Sequence, residues 1–230
     1  MILAAGRGER MRPLSDTTPK PLLRAGGKPL IVWQIEALVR AGLTDIVVNA
    51  SHHAAQLVDA LGDGRAFGAR IAWSREAEPL EVAGGIATAL PLLPAGPVIV
   101  VSGDVWSAFD LASLIPRAQA MARNAAAPRA HLVMVPNPPY HPAGDFALRG
   151  NAVVSGDSLT LTFGNIAVYD GALFAGVARG VKRKMLPLFN AWIAKGIVSG
   201  ERYDGPWANV GTPDDLAELD ARLARAPSIT

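Results

Sequence analysis

The 230-residue chain contains no cysteine. That removes disulfides and thiolate metal sites together, and it fits a reducing compartment; a cytoplasmic protein is expected. No apolar run approaches the roughly 20 residues of a membrane-spanning helix, so no membrane partner is expected. The opening MILAA is followed, not preceded, by positive charge, the reverse of a signal peptide. An apolar run beginning at Met1 is abrupt, and a few further residues are expected upstream. Excess charge is also missing. Lys and Arg number 22 and Asp and Glu 20, a formal net charge of +2. With no basic run, a nucleic-acid partner is not expected. No internal repeat is visible. A Walker loop, Gly-x-x-x-x-Gly-Lys-Ser/Thr, is absent. The dinucleotide fingerprint fails as well, because Met11 stands where the third glycine belongs and the nearby acid, Asp45, precedes the second strand instead of closing it. Both absences argue against an NAD site.

What is present is apolar material in the right rhythm. Half of the residues are hydrophobic, enough for a sizeable core. Short apolar runs at 1–5, 45–50, 69–76, 97–104 and 130–137 read as buried strands. Helical stripes lie between them: Pro29 to Ala41 with Gly42 as its stop, His52 to Leu61, Gly84 to Leu92, and Phe109 to Arg123. Alternation at this spacing predicts an α/β fold with a doubly wound, mostly parallel sheet, in which PVIVVSGD is central. The adjacent pair His52-His53 invites a metal reading, but neighbouring residues of a helix point apart, so surface roles are expected. After Asn137 the pattern changes. NPPYHPAGDF is a Pro/Gly-rich loop, and FALRGNAVVS and LTLTFGNIAVYD read as antiparallel strands about a Gly156-Asp157 turn, a small subdomain continuous with the sheet. Arg183 to Lys195 returns to helix. Thr212, Pro213 and Asp215 form a capping box variant opening a last helix.

The chemistry concentrates in residues 1–23, MILAAGRGERMRPLSDTTPKPLL. A loop carrying Gly6, Arg7, Gly8, Arg10, Arg12 and Lys20 leaves the first strand at its carboxyl end, where ligands bind in open α/β sheets. Exposed amides beside guanidinium groups suit a polyanion. Lys20 sits between Pro19 and Pro21, on a stiff backbone. A triphosphate cradle is the sharper reading, and a basic surface loop the plainer one.

This stretch resembles the signature of the sugar-1-phosphate nucleotidyltransferases, Gly-x-Gly-x-Arg-hydrophobic-x-Pro-x-Thr-x-x-x-Pro-Lys. The chain carries Gly6, Gly8, Arg10, Met11, Pro13, Pro19 and Lys20, with Ser15 at the usual Thr. Later motifs look most like the members that uridylylate N-acetylmuramate-1-phosphate in peptidoglycan recycling, and the resemblance spans nearly the whole chain. It implies a Rossmann-like nucleotidyltransferase fold in one domain, residues 1–137 holding the nucleotide and 138–230 the sugar. The implied partners are an NTP and a sugar-1-phosphate, and the implied cofactor is Mg²⁺; a monomer or small homo-oligomer is expected. Ala5, Gly6, Gly8 and Arg10 would hold the triphosphate, with Lys20 near the α-phosphate. Asp104, at the end of PVIVVSGD, would be the metal carboxylate; an Asp capping the following turn is the plain alternative. The family's second carboxylate, in Trp-x-Asp-x-Gly-Thr, is replaced by Asn209 within Trp207-Ala208-Asn209-Val210-Gly211-Thr212.

Val82, Ala83, Gly84 and Gly85 stand where relatives have Thr-Gly-Gly-Gly, and their backbone would read the base edge; glycines opening a helix is the alternative. For the sugar, Asn137, Gly144, Asp145, Asn165 and Lys184 match the muramate-type relatives, and His141 is read as a plain loop histidine. The Glu-Lys-Pro segment of glucose-type relatives is absent. Two alternatives remain open at this level: a guanylyltransferase acting on mannose-1-phosphate or a similar hexose-1-phosphate, and a degenerate module that binds without turnover, which Asn209 favours.

Overall fold

The computed structural model describes residues 1–156 and 158–225. Its strands run β1 (Ile2–Leu3), β2 (Arg24–Ala25), β3 (Lys28–Pro29), β4 (Asp45–Ala50), β5 (Arg70–Arg75), β6 (Pro97–Ser102) and β7 (Val105–Ser107). They continue with β8 (Ala130–Val135), β9 (Phe146–Arg149), β10 (Ala152–Val154), β11 (Thr160–Asp170), β12 (Val198–Arg202) and β13 (Trp207–Asn209). The helices are α1 (Leu14–Thr17), α2 (Leu30–Arg40), α3 (Ala54–Leu61), α4 (Glu81–Ala89), α5 (Ile115–Arg123), α6 (Leu186–Ala194) and α7 (Pro213–Arg225).

Among the described residues one sheet dominates, in the order β5-β4-β1-β6-β11-β8-β12-β10-β9. The first four strands are parallel. Their side chains alternate between two buried faces. Ile46, Val48, Ala50, Ile99 and Val101 meet α2, α3 and α5, while Val47 and Val100 face the core of α4 and α6. Burial on both faces explains why these strands read as unbroken apolar runs.

The expected parallel order fails beyond β6. β11 inserts there, antiparallel to β6 and to β8, and takes the middle position expected for PVIVVSGD. Its second half, Ile166 to Asp170, is fully buried, which a middle strand requires. The far half of the sheet then curls until β9 meets Thr160 and Leu161 of β11. The antiparallel strands thus extend and bend the main sheet. Asp157, part of the expected turn before β11, lies outside the described residues. A register shift between Phe163 and Ala167 breaks the β11–β8 ladder, and Asn165 sits there at φ 57°. Such a bulge re-aims side chains beside a site.

Helix α4 starts at Glu81, three residues before the expected Gly84, and α3 starts at Ala54, after both histidines. His52 and His53 therefore do not point apart on a helix. His53 is left-handed at φ 55°, and the two rings lie 3.9 Å apart. No cluster of three or more His, Cys, Asp or Glu able to hold a metal occurs among the described residues. A third core, Met11, Ala25, Leu30, Trp106, Val210 and Leu219, packs α7 against the β2–β3 hairpin and the β7–β13 ribbon. The capping box holds: Asp215 Oδ2 accepts from the Thr212 amide and Thr212 Oγ1 from the Asp215 amide.

His131, on β8, is 2 % exposed. Its Nδ1 lies 2.8 Å from Ser199 Oγ and its Nε2 3.0 Å from Glu201 Oε1. A neutral ring satisfies both, accepting from the serine and donating to the carboxylate. Burial pushes its pKa below the usual histidine value, and Glu201 opposes that only in part. Below the ordinary value the unfolded chain takes up a proton that the folded chain refuses, so stability falls as pH falls through that window. His131→Gln, measured by urea unfolding at about pH 7.5 and about pH 5.5, is expected to lose less stability on acidification than the parent. The gain is bounded by about 1.4 kcal/mol per pH unit. Equal losses would show that His131 does not carry this dependence.

Candidate active site

The site begins where β1 ends. Ala4 donates its amide to Asn49 Oδ1 at 2.7 Å, fixing the strand exit. The chain then turns through Gly8 at φ 64°, a region that favours glycine; a Cβ there would lie 3.1 Å from Lys20 Cβ and 3.4 Å from Ser15 Cβ. Ser15 Oγ donates to the Gly8 carbonyl at 2.7 Å, so the hydroxyl at the signature's Thr position holds the turn. Met11, fully buried in the third core, anchors the loop and leaves Arg7 and Arg10 exposed around it.

Lys20 is 9 % exposed, and its Nζ donates to Asp104 Oδ2 at 2.6 Å. The two ends meet because β1 and β6 are neighbours in the sheet. Lys20, Asp104, Ala5, Gly6, Gly8 and Arg10 all line one cavity of about 880 Å³. Its lining carries charges of both signs: Arg7, Arg10, Lys20 and Lys182, with Glu9, Glu76, Glu78, Glu81 and Asp104.

A second cavity of about 470 Å³ adjoins it, and Arg10 lines both. Asp145, Asn165 and Asn209 line the second one, with Tyr140, Thr162 and Trp207. Asp145 Oδ2 accepts from the Phe163 amide at 2.8 Å, and its Oδ1 lies 3.1 Å from His141 Nε2; the loop histidine is thus a wall residue. The Trp207 indole donates to the Gly164 carbonyl, tying β13 to the bulge in β11. Asn209 pairs with Val105 across the β7–β13 ribbon, and the Val210 amide donates to the Asp104 carbonyl at 3.0 Å. The sequence motif around Asn209 therefore lies beside Asp104. Tyr140 hydrogen-bonds Asn209; burial raises the phenol's pKa, and that bond opposes the rise.

Several expected positions land elsewhere. Val82 reaches the first cavity, but Ala83, Gly84 and Gly85 are buried beneath it. The Ala83 and Gly84 amides both donate to the Arg183 carbonyl, so neither is free to read a base. Gly84 is small for a steric reason: a Cβ would lie 2.4 Å from the Val181 carbonyl, where the 181–185 segment crosses α4. Lys184 lines neither cavity, whereas Lys182, on the same strap, lines the first. Asn137 and Gly144 also lie outside the walls. Asn137 donates to the carbonyls of Pro142 and Thr160, and Gly144, at φ 59°, leaves no room for a Cβ beside it. Both shape the loop that presents Asp145.

Sequence reasoning misses Asn49 and Glu76, both buried and both in the first cavity's wall. The available signal is the polar residue inside the apolar run DIVVNA. Glu76 Oε1 accepts from Asn49 Nδ2 at 2.7 Å and Oε2 from the Leu80 amide at 3.0 Å. Burial raises the Glu76 pKa, and these two donors work against that.

Comparison with known proteins gives a consistent likeness. A family model described as nucleotidyl transferase matches residues 1–141. The chain is 45% identical over 225 residues to the N-acetylmuramate alpha-1-phosphate uridylyltransferase of Neisseria meningitidis, covering 96% of each chain. It is 33% identical to the enzyme of that name from Caulobacter vibrioides, covering 98% of this chain and 97% of that one. A mannose-1-phosphate guanyltransferase of Schizosaccharomyces pombe is 40% identical over 50% of this chain and 32% of that one. Among solved structures, a Bacillus anthracis protein provisionally named a glucose-1-phosphate thymidylyltransferase superposes with a TM-score of 0.84 at 19% identity, covering 98% of this chain and 95% of that one. That likeness supports the fold.

Gly84, inside α4, and Gly6, in the loop after β1, differ in kind, and stability measurements separate them. Gly84→Ala puts a Cβ into backbone and is expected to cost about 1–3 kcal/mol in urea unfolding, the range of overpacked sites. Gly6 has open space and no positive φ, so Gly6→Ala is expected to stay within about 0.5 kcal/mol. Equal costs would mean that the strap does not lie on α4.

Proposed function

The chain belongs to the nucleotidyl transferase family, and from that premise we propose that it transfers a uridylyl group from UTP to N-acetylmuramate-1-phosphate, releasing pyrophosphate. The observation that carries this reading is the bipartite cavity, two chambers that share Arg10. The larger offers Arg7, Arg10 and Lys20 to a triphosphate, and Glu76, Glu78 and Glu81 as acceptors for the donor edge of a base. The smaller has carboxylate, amide, hydroxyl and indole groups for a sugar. Likeness along 96% of the chain to a uridylyltransferase supports the same substrates; the guanylyltransferase likeness spans only half of it. Such an enzyme would work in the cytoplasm, in cell-wall recycling. No helix among the described residues is long and apolar enough to cross a membrane.

The reaction needs no enzyme nucleophile. A phosphate oxygen of the sugar phosphate attacks the α-phosphorus, that O–P bond forms, the bond to the β-phosphate oxygen breaks, and pyrophosphate carries the electron pair away. What the protein contributes is alignment and neutralisation of developing charge. Arg10, between the chambers, and Lys20 are assigned that work. Lys20 is held by Asp104, and an arriving triphosphate offers its ammonium a second anion. Asp104 and Asn209 would hold Mg²⁺. One carboxylate beside one amide oxygen is a hard-oxygen donor set that suits this ion when phosphate oxygens complete it. When bound, the ion supplies charge neutralisation on those oxygens.

The alternatives yield to one panel: pyrophosphate release with four nucleotides and several sugar phosphates, Mg²⁺ present. UTP with N-acetylmuramate-1-phosphate is expected to be the best pair. GTP with mannose-1-phosphate as the best pair would replace the substrate assignment, and silence from every pair would leave a binding module, the reading that Asn209 favours. With the active pair, Lys20→Ala is expected to lower kcat by about 10²–10³, the scale of losing one preorganised charge. A near-normal kcat would remove Lys20 from this role.

A further inference from the structure

Asn49 and Glu76 lie 27 residues apart and belong to two different strand ends, yet they form one hydrogen-bonded chain. It begins at the Ala4 amide, which donates to Asn49 Oδ1 at 2.7 Å. The Asn49 amide group donates to Glu76 Oε1 at 2.7 Å, and the Leu80 amide donates to Glu76 Oε2 at 3.0 Å. The Leu80 carbonyl accepts from the Arg183 amide at 2.9 Å. Three walls of the larger cavity are therefore fastened together: the exit of β1, the 77–81 loop, and the strap that carries Lys182. Gly85 is part of the fit, since a Cβ there would lie 2.7 Å from Asn49 Nδ2 and 2.8 Å from Glu76 Oε1. Helix α4 can seat over this chain only with glycine at that point.

We infer that Asn49 and Glu76 are positioning residues, a donor–acceptor relay that sets the span between the phosphate loop and the loop walling the opposite end of the nucleotide cavity. The inference rests on the reading of that cavity as the nucleotide site. A nucleotide must touch both ends at once, so its affinity depends on that span, while the sugar phosphate occupies the other chamber. The relay has a defined polarity. Asn49 must accept at one end and donate at the other, and Glu76 must accept twice.

That polarity makes a swap the test. In Asn49→Asp two carboxylates face each other; in Glu76→Gln an amide group faces one donor too many. The double variant carries both substitutions. Its new amide at position 76 donates to the new carboxylate at position 49 and accepts from Leu80, while that carboxylate accepts from Ala4, so every bond is restored at unchanged charge. KM for UTP, KM for the sugar phosphate and the thermal midpoint are measured for the parent and the three variants. Each single variant is expected to raise KM for UTP about tenfold or more, the ratio that 1.4 kcal/mol represents, without moving the sugar-phosphate KM. The double variant is expected to return to within about threefold of the parent. Should Asn49→Asp fail to fold, Glu76→Gln against the double variant decides alone. Unchanged UTP KM in the single variants, no recovery in the double, or equal rises in both KM values would overturn the relay. If the parent releases no pyrophosphate with any pair, the proposed reaction fails, and calorimetric UTP affinity across the same proteins still decides the relay; a parent that does not bind UTP overturns both.

Discussion

The ion pair between Lys20 and Asp104 is the interaction on which the site's design turns. It joins the first basic loop to the end of β6, across the one place in the sheet where both elements are adjacent. Its side chains are 11% and 30% exposed, and in a pair so largely buried the cost of desolvation offsets the attraction, so it is weak evidence of stability. Its weight is electrostatic. Paired, the two charges cancel; parted, they present a cation to phosphate and a carboxylate to a metal. A ligand that brings both negative charge and a metal ion can replace each partner of the pair with a better one. A ligand that brings only one of them leaves an unpaired charge behind. On the proposed function, such a pair would favour a metal-bound polyphosphate over a simple anion.

How much of this was legible in the sequence depends on whether a feature is local. The conformation of the first basic loop was legible because its requirements are written within a short segment: a left-handed turn needs Gly8, a buried anchor needs Met11, and charge needs Arg10 and Lys20. The parallel half of the sheet was legible because strands covered on both faces become unbroken apolar runs. The insertion of β11 between β6 and β8 was not, since strand order is decided by which ladders close and no short pattern encodes it.

The misplacements share another cause. Ala83, Gly84 and Gly85 suggested an exposed backbone, but the glycines are there because other chain segments press on them: the strap on Gly84, the Asn49–Glu76 chain on Gly85. Absence of a side chain serves close approach by protein as well as by ligand, and composition does not tell the two apart. Lys182 and Lys184 differ by two positions on an irregular strap, where no helical or strand period says which one faces inward. Asn49 leaves one signal, a polar residue inside the apolar run DIVVNA, but Glu76 leaves none, and nothing in the sequence says that the two meet.

Asn209 fits the same electrostatic account. It lines the smaller chamber, bonded to Tyr140 and paired across the ribbon with Val105, the residue after Asp104. Arg10 passes close by, its guanidinium within 3.3 Å of where a Cβ on Gly211 would be. A carboxylate at position 209 would be a second acid competing for a cation of the site, for Arg10 as Asp104 does for Lys20. An amide makes no such claim. On the proposed function it would leave Arg10, which lines both chambers, to attract phosphate where they meet.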